Sequence, residues 1–250
     1  HTFHNYFYAR NASTDGNTIV YHCGGDLYSL DVKSDKSKKL NFVFNNTFSL
    51  TRDRFINPSD NLEDYDISKD SSRVAITSRG KVFVMGNWEG PAIQIPNVNG
   101  CRFKVARWVD KDSKIALMSD ETGDYRLNVI DINNLDKPVK HNKTEIGLPF
   151  DMRISNSGKF AAVSNHRNEI FIVNLDSGEK IHIDRNNFGI LKGFNWSPDD
   201  KFLAYAININ HKQTVIKVFN VKEKKSYLIS DPLLSDYSPS FDSSGKYLYL

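Results

Sequence analysis

Hydrophobic and polar positions alternate in a short unit that returns along the whole chain. It is plainest at Phe194-Asn-Trp-Ser-Pro-Asp-Asp-Lys-Phe-Leu-Ala-Tyr205. Phe194 and Trp196 alternate toward one face, Ser197 to Asp200 carry turn chemistry, and Phe202 to Tyr205 continue as an apolar run. This pattern predicts a strand, a tight turn and a second strand. Related segments surround Asp15-Gly-Asn17, Asp70-Ser-Ser-Arg73, Asp112-Ser-Lys114, Ser157-Gly-Lys159 and Ser244-Gly-Lys246. Their last turn residues fall at 17, 73, 114, 159, 201 and 246, so the intervals are 56, 41, 45, 42 and 45. A strand-based period in the low forties is that of a propeller blade, in which four antiparallel strands form each radial sheet.

The predicted fold class is therefore all-β, with about five complete four-stranded blades and a partial sixth, and a ring left incomplete in this chain. In the first copy, strands are expected near 7–12, 18–22, 26–31 and 38–42, with Gly24-Gly25 as a hairpin reversal. The second places them at 65–68, 74–78, 81–85 and 92–95. The third places them at 103–108, 115–119, 126–130 and near Val139. The fourth has 151–155, 160–164, 169–175 and 180–183. The fifth runs from Phe194 through 202–205, 215–221 and 226–229, and the sixth begins at Tyr237 with two strands. The long interval contains Thr51-Arg-Asp-Arg-Phe-Ile-Asn-Pro58, polar and Pro-containing, which suits either a linker or one insertion on a continuous propeller.

Composition narrows the function classes. With 39% hydrophobic and 25% charged residues, 16 Phe and 11 Tyr, the chain suits an all-β globular body. The net charge of +3 is interspersed, with no basic stripe carrying interleaved aromatics, so nucleic acid is not an expected partner. The densest basic run, Lys222 to Lys225, reads as a solvated hairpin turn. No apolar run approaches the ~20 residues of a spanning helix, so no membrane partner is expected. Cys23 and Cys101 sit in different repeats, which argues against a disulfide scaffold or a Cys-based zinc site and fits a reducing compartment. The Asn-X-Ser/Thr matches at Asn11, Asn45, Asn142 and Asn195 read as chance in an Asn-rich chain. The chain starts without Met and stops within a predicted strand at Tyr247 to Leu250, so it is expected to be a piece of a longer polypeptide.

Catalytic constellations are not visible. Nucleophile elbow, zinc-protease, phosphate-loop and dinucleotide motifs are all missing. His166 falls in a blade hairpin, His22 and Cys23 lack a third group nearby, and Asp120 to Asp124 reads as an acidic turn rather than a calcium loop. No cofactor and no metal are expected. A propeller offers instead a central channel lined by inner strands. The predicted lining is Glu63 to Asp66, Lys104 to Arg107, Asp151 to Arg153 and Asn195 to Ser197. Its mixed charge suits a wet channel for extended peptide or a partner protein, or else these groups satisfy the backbone and neighbouring blades. The candidate channel residues are Glu63, Asp66, Lys104, Arg107, Asp151 and Arg153, with Arg52 and Arg54 in the loop before them. Those two arginines are either solvated or placed to grip the acidic terminus of a ligand.

The turns Trp196-Ser-Pro-Asp-Asp-Lys201 and Phe241-Asp-Ser-Ser-Gly-Lys246 resemble the repeat of prolyl-oligopeptidase-like and Tol-system propellers. Several further stretches resemble the tandem propellers of tricorn-type proteases across essentially the whole chain. They are Tyr8 to Gly16, Gly24 to Tyr28, Glu63 to Asp66, Thr77 to Gly80, Gly158 to Ser164 and Asp236 to Phe241. The resemblance implies a large cytoplasmic serine peptidase in which a six-bladed and a seven-bladed propeller precede a PDZ-like module and the catalytic domains. It implies oligopeptides as substrates, the rest of the protease as intrachain partner and a homo-oligomer. By the same resemblance, residues 1–45 are the closing blade of a preceding propeller, 46–62 a linker, and 63–250 the first blades of a second propeller. The family's catalytic residues lie outside this stretch, so none is carried onto this chain. The alternative is a stand-alone Tol-system-like propeller that docks a protein.

Overall fold

A computed structural model describes residues 1–4, 7–43, 45, 47–49, 52–111, 113–135, 138–191, 193–233 and 235–250, with the backbone alone over 140–143. Phe44, Asn46, Thr51 and Asp112, which the repeat and linker readings touch, lie outside the described residues, as do the side chains of Asn142 and Lys143. The chain divides into two compact units, His1–Phe55 and Ile56–Leu250.

The first unit holds one antiparallel sheet in the order β1 (Ala9–Thr14), β2 (Thr18–Cys23), β3 (Asp26–Asp31) and β4 (Lys36–Lys39). Its core is small, with Tyr21, Cys23 and Leu30 buried and Ile19 and Tyr28 against them. The fourth strand starts earlier than the expected 38–42. The turn at its head is short: Asp31 accepts the Ser34 N–H at 2.7 Å, Asp35 takes a left-handed φ of 55°, and Lys36 pairs with Asp31 at once.

The second unit holds four further four-stranded sheets and one two-stranded sheet among the described residues, each antiparallel and in chain order. The first comprises β5 (Leu62–Ile67), β6 (Arg73–Ser78), β7 (Lys81–Gly86) and β8 (Ile93–Ile95). The next comprises β9 (Phe103–Trp108), β10 (Lys114–Ser119), β11 (Arg126–Asp131) and β12 (Val139–Glu145). Then come β13 (Pro149–Ile154), β14 (Phe160–Asn165), β15 (Glu169–Asn174) and β16 (Lys180–Arg185). The last full sheet is β17 (Phe194–Trp196), β18 (Phe202–Asn208), β19 (Thr214–Asn220) and β20 (Lys225–Leu228). The partial sheet is β21 (Ser240–Phe241) with β22 (Leu248–Tyr249), starting later than the expected Tyr237. The innermost strands β5, β9, β13, β17 and β21 contact one another in succession.

Strict alternation explains why the middle strands read as unbroken apolar runs. On β10, Ile115 and Leu117 face Ala75, Val82, Val84 and Ile95 of the preceding sheet. Ala116 and Met118 face Met152, Ala161, Val163 and Phe171 of the following one. On β18, Leu203, Tyr205 and Ile207 pack toward Ala162, Ile170 and Ile172, while Ala204 and Ala206 turn toward Phe241 and Leu248. Both faces of each strand are thus withdrawn from water, worth roughly 1.5–3 kcal/mol for each fully buried large aliphatic side chain.

The repeating turns have a shared chemistry. Ser68, Ser155 and Ser197, all buried, accept the N–H groups of Arg73, Phe160 and Phe202 on their side-chain oxygens. Ser71, Gly158, Asp200 and Gly245 occupy the left-handed position of successive turns, at φ 62°, 73°, 59° and 71°. Asp199 is held down to about 2 by hydrogen bonds from Lys201 and Ser197. Turns also clasp one another: the Asp200 carboxylate accepts the N–H groups of Asn156 at 2.7 Å and Ser157 at 2.8 Å. Gly158 has no room for a side chain, because a Cβ there would lie 2.7 Å from the Val109 carbonyl oxygen of the preceding sheet. Gly158→Ala should therefore lower unfolding free energy by about 2–3 kcal/mol. Gly123→Ala, at a positive φ but in open space, should cost about 1 kcal/mol. Urea midpoints of the two variants check this, and equal losses would show that the close approach of the two sheets is not what Gly158 serves.

Candidate functional site

The inner strands begin with bulges. Pairing of β5 with β6 slips between Leu62 and Asp64, β13 with β14 between Pro149 and Asp151, and β9 with β10 between Lys104 and Arg107. Val105 takes a φ of 52°, a strained region for a β-branched residue. A bulge re-aims the side chains beside it, and here Glu63, Lys104 and Phe150 are turned toward a common space. That space is a cavity of about 430 Å³ lined by Glu63, Asp64, Thr77, Lys104, Val105, Arg107, Pro149, Phe150, Asp151 and Arg153.

Arg107 is the hub of this region, with only 9% of its surface exposed. Its Nη1 meets Asp64 Oδ2 at 2.5 Å and its Nη2 meets Asp151 Oδ1 at 3.0 Å. Nε donates to the Met152 carbonyl at 2.9 Å and Nη1 to the Ala106 carbonyl at 2.9 Å. One guanidinium thus ties β5, β9 and β13 together. Burial alone would lower its pKa; the Asp64 hydrogen bond and the charges of Asp64, Asp151 and Asp66 outweigh this and raise it. Asp66 lies beside the cavity rather than on its wall. Its Oδ2 accepts the Trp108 backbone N–H at 2.8 Å, and burial pushes its carboxyl above the usual value. Indole N–H groups latch successive sheets, Trp108 to the Asp66 carbonyl at 3.2 Å and Trp196 to the Arg153 carbonyl at 2.9 Å. Lys69 reaches from the β5–β6 turn to the Asn156 carbonyl in the β13–β14 turn at 2.8 Å.

Of the sequence-predicted residues, Glu63, Lys104, Arg107, Asp151 and Arg153 line one cavity and Asp66 adjoins it. Asn195 is further round, its Nδ2 3.5 Å from Ser240 Oγ. Arg52 and Arg54 belong to the first unit and are exposed; Arg52 Nε donates to the Thr47 carbonyl at 3.1 Å. Pro149, Phe150 and Thr77 were not singled out as site residues. Thr77 sits on a second strand, and only the pairing of Asp64 with Thr77 brings it to the wall. His166 serves the loop before β13: its Nδ1 accepts the Leu148 N–H at 3.1 Å. The Asp120 carboxylate accepts the Arg102 N–H at 2.6 Å. Cys23 and Cys101 are free thiols. No helix among the described residues is long and apolar enough to cross a membrane.

Radial four-stranded sheets whose inner strands succeed one another define this protein as a β-propeller. Residues 62–250 match the family model for the tricorn protease second beta propeller domain, and the chain belongs to that family. The Tricorn protease of Thermoplasma volcanium is 29% identical over 255 residues, covering all of this chain and 24% of the relative. The Tricorn protease homolog of Saccharolobus solfataricus is 27% identical over 249 residues, covering all of this chain and 22% of the relative. The chain thus spans about a quarter of the length of these relatives. A crystal structure of the tricorn protease superposes with a TM-score of 0.72 at 27% identity, over 99% of this chain and 24% of that one. TolB from Acinetobacter baumannii gives a TM-score of 0.56 at 13% identity, over 89% of this chain and 53% of that one, a likeness of fold alone.

Removing the hub charge should expose the cost of the carboxylates it pairs. The Asp64 and Asp151 side chains are 31% and 32% exposed, so water takes up part of the loss and Arg107→Gln should cost about 2 kcal/mol. Adding Asp64→Asn and Asp151→Asn to that variant should recover more than half, as read from urea denaturation. No recovery would place the role of Arg107 in its bonds to the Met152 and Ala106 carbonyls instead.

Proposed function

We propose that residues 62–250 are a non-catalytic propeller segment of a tricorn-type serine protease that guides oligopeptides to or from a proteolytic core elsewhere in the polypeptide. Membership of the tricorn second-propeller family supports the parent's activity, and the relatives are named as proteases over lengths about four times that of this chain. The observation that carries the guiding role is the cavity on the inner strands. It combines three carboxylates, three cations, an exposed Phe150 and a strained Val105 backbone in one concave space. Such a surface offers an extended peptide hydrogen bonds at both signs of charge. A PDZ-like module, a serine-protease core, a homo-oligomer and a cytoplasmic setting belong to the same proposal.

The channel role is tested on the full-length protein carrying Cys23→Ser, Cys101→Ser and Phe150→Cys. Alkylation with a bulky maleimide should lower kcat/KM for oligopeptides about fivefold or more, relative to the equally alkylated protein that retains Phe150. Turnover of a single-residue amide substrate should hold. Unchanged oligopeptide turnover after complete alkylation would rule the guiding role out.

Residues 1–45 are proposed as the closing blade of a preceding propeller and 46–62 as the linker between the two. Trypsin should then cut first after Arg52 or Arg54 and leave both flanking parts folded by hydrogen-exchange protection. Cleavage elsewhere before these sites would overturn the linker assignment.

A further inference from the structure

Which end of a peptide the cavity holds can be read from the groups on its wall that have no other work. Asp64 is engaged: Oδ2 takes Arg107 and Oδ1 takes the Tyr65 N–H at 2.9 Å. Asp151 is engaged as well, with Oδ1 on Arg107 and on the Met152 N–H at 2.8 Å, and Oδ2 3.4 Å from Arg153 Nε. Arg107 spends four of its five N–H donors on those two carboxylates and two carbonyls. Among the described residues, Lys104 has neither an ion pair nor a hydrogen bond from its ammonium group, and the far end of the Arg153 guanidinium is unpaired. Thr77 is 2% exposed, and its hydroxyl is one of two buried side-chain polar atoms without a hydrogen-bond partner among the described residues. A buried hydroxyl left unpaired costs desolvation energy that a ligand oxygen would restore. Among the described residues of the wall, Glu63 is the one carboxylate with neither an ion pair nor a hydrogen bond, and it is exposed.

We propose that this cavity binds the terminal α-carboxylate of a peptide, with Lys104 and Arg153 supplying charged donors and Thr77 a hydroxyl. The inference rests on the peptide-guiding reading and deepens it, since it gives the peptide a direction: the C-terminal end engages the inner strands. A carboxylate matches the surplus of donors. An α-ammonium would find one exposed acid, Glu63, and two carboxylates whose charge Arg107 already offsets through one oxygen of each.

The test compares two fluorescent heptapeptides of one sequence, both N-acetylated, one ending in a free carboxylate and one in a carboxamide. Anisotropy is read on full-length protein inhibited at its catalytic centre. The free acid should bind about tenfold more tightly than the amide, the scale of a charge-assisted pair. Lys104→Gln and Arg153→Gln should each shrink that ratio toward one without altering amide affinity. Thr77→Val should weaken the acid alone while leaving thermal stability unchanged or higher, a combination that a purely structural role for the hydroxyl does not produce. Equal affinities for acid and amide, unmoved by Lys104→Gln, would overturn the carboxylate site and leave the channel reading standing. Binding of neither peptide would overturn both.

Discussion

A four-stranded sheet with two apolar faces cannot stand in water, and everything in the second unit follows from covering both. Each middle strand sends alternate residues to opposite neighbours, so Ile115 and Leu117 belong to one interface while Ala116 and Met118 belong to the next. Side-chain size is shared out across those interfaces. The small face of β18, Ala204 and Ala206, leaves room for Phe241 and Leu248, while its large face, Leu203 and Tyr205, fills the space above Ala162. Close packing of this kind tolerates neither voids nor added methyl groups, which is why the glycine at 158 sits where two sheets nearly touch.

The inner edge of the fold meets a different constraint. Here polar side chains of successive inner strands lie within hydrogen-bond reach of one another. Arg107 pairs with carboxylates from both neighbouring strands and occupies two carbonyls. The Trp108 and Trp196 indoles do the equivalent for backbone oxygens. This structural pairing also sorts the lining. It uses up Asp64 and Asp151 and leaves Lys104, the end of Arg153, Glu63 and Thr77 facing the cavity. Charges of neighbouring strands thus divide between two places: Arg107, Asp64 and Asp151 tie three sheets together, while Lys104, Glu63 and the end of Arg153 stay on the cavity wall.

Much of the architecture was legible in the residues. The Phe194 to Tyr205 unit and its relatives announce strand, turn and strand because alternation and turn chemistry are local properties. Strand edges were read less well where a turn decides them. Asp31 and Ser34 set where β4 begins, and a bulge at Glu63 carries β5 back to Leu62, ahead of the expected Tyr65. Glu63, Lys104, Arg107, Asp151 and Arg153 could be named in advance because they sit on the first strands of successive repeats, and they border one cavity. Their pairing could not: Arg107 lies 43 residues from Asp64 and 44 from Asp151.

The sequence by itself determined the repeat, the all-β class, the order of strands within each blade and the family, since each rests on periodicity or on short motifs. Tertiary structure alone decided which charges neutralise one another, which carboxyl is raised by burial, and which hydroxyl is left without a partner. Those outcomes depend on distances across successive blades and on the loss of water between them. Neither is a property of neighbouring positions along a chain.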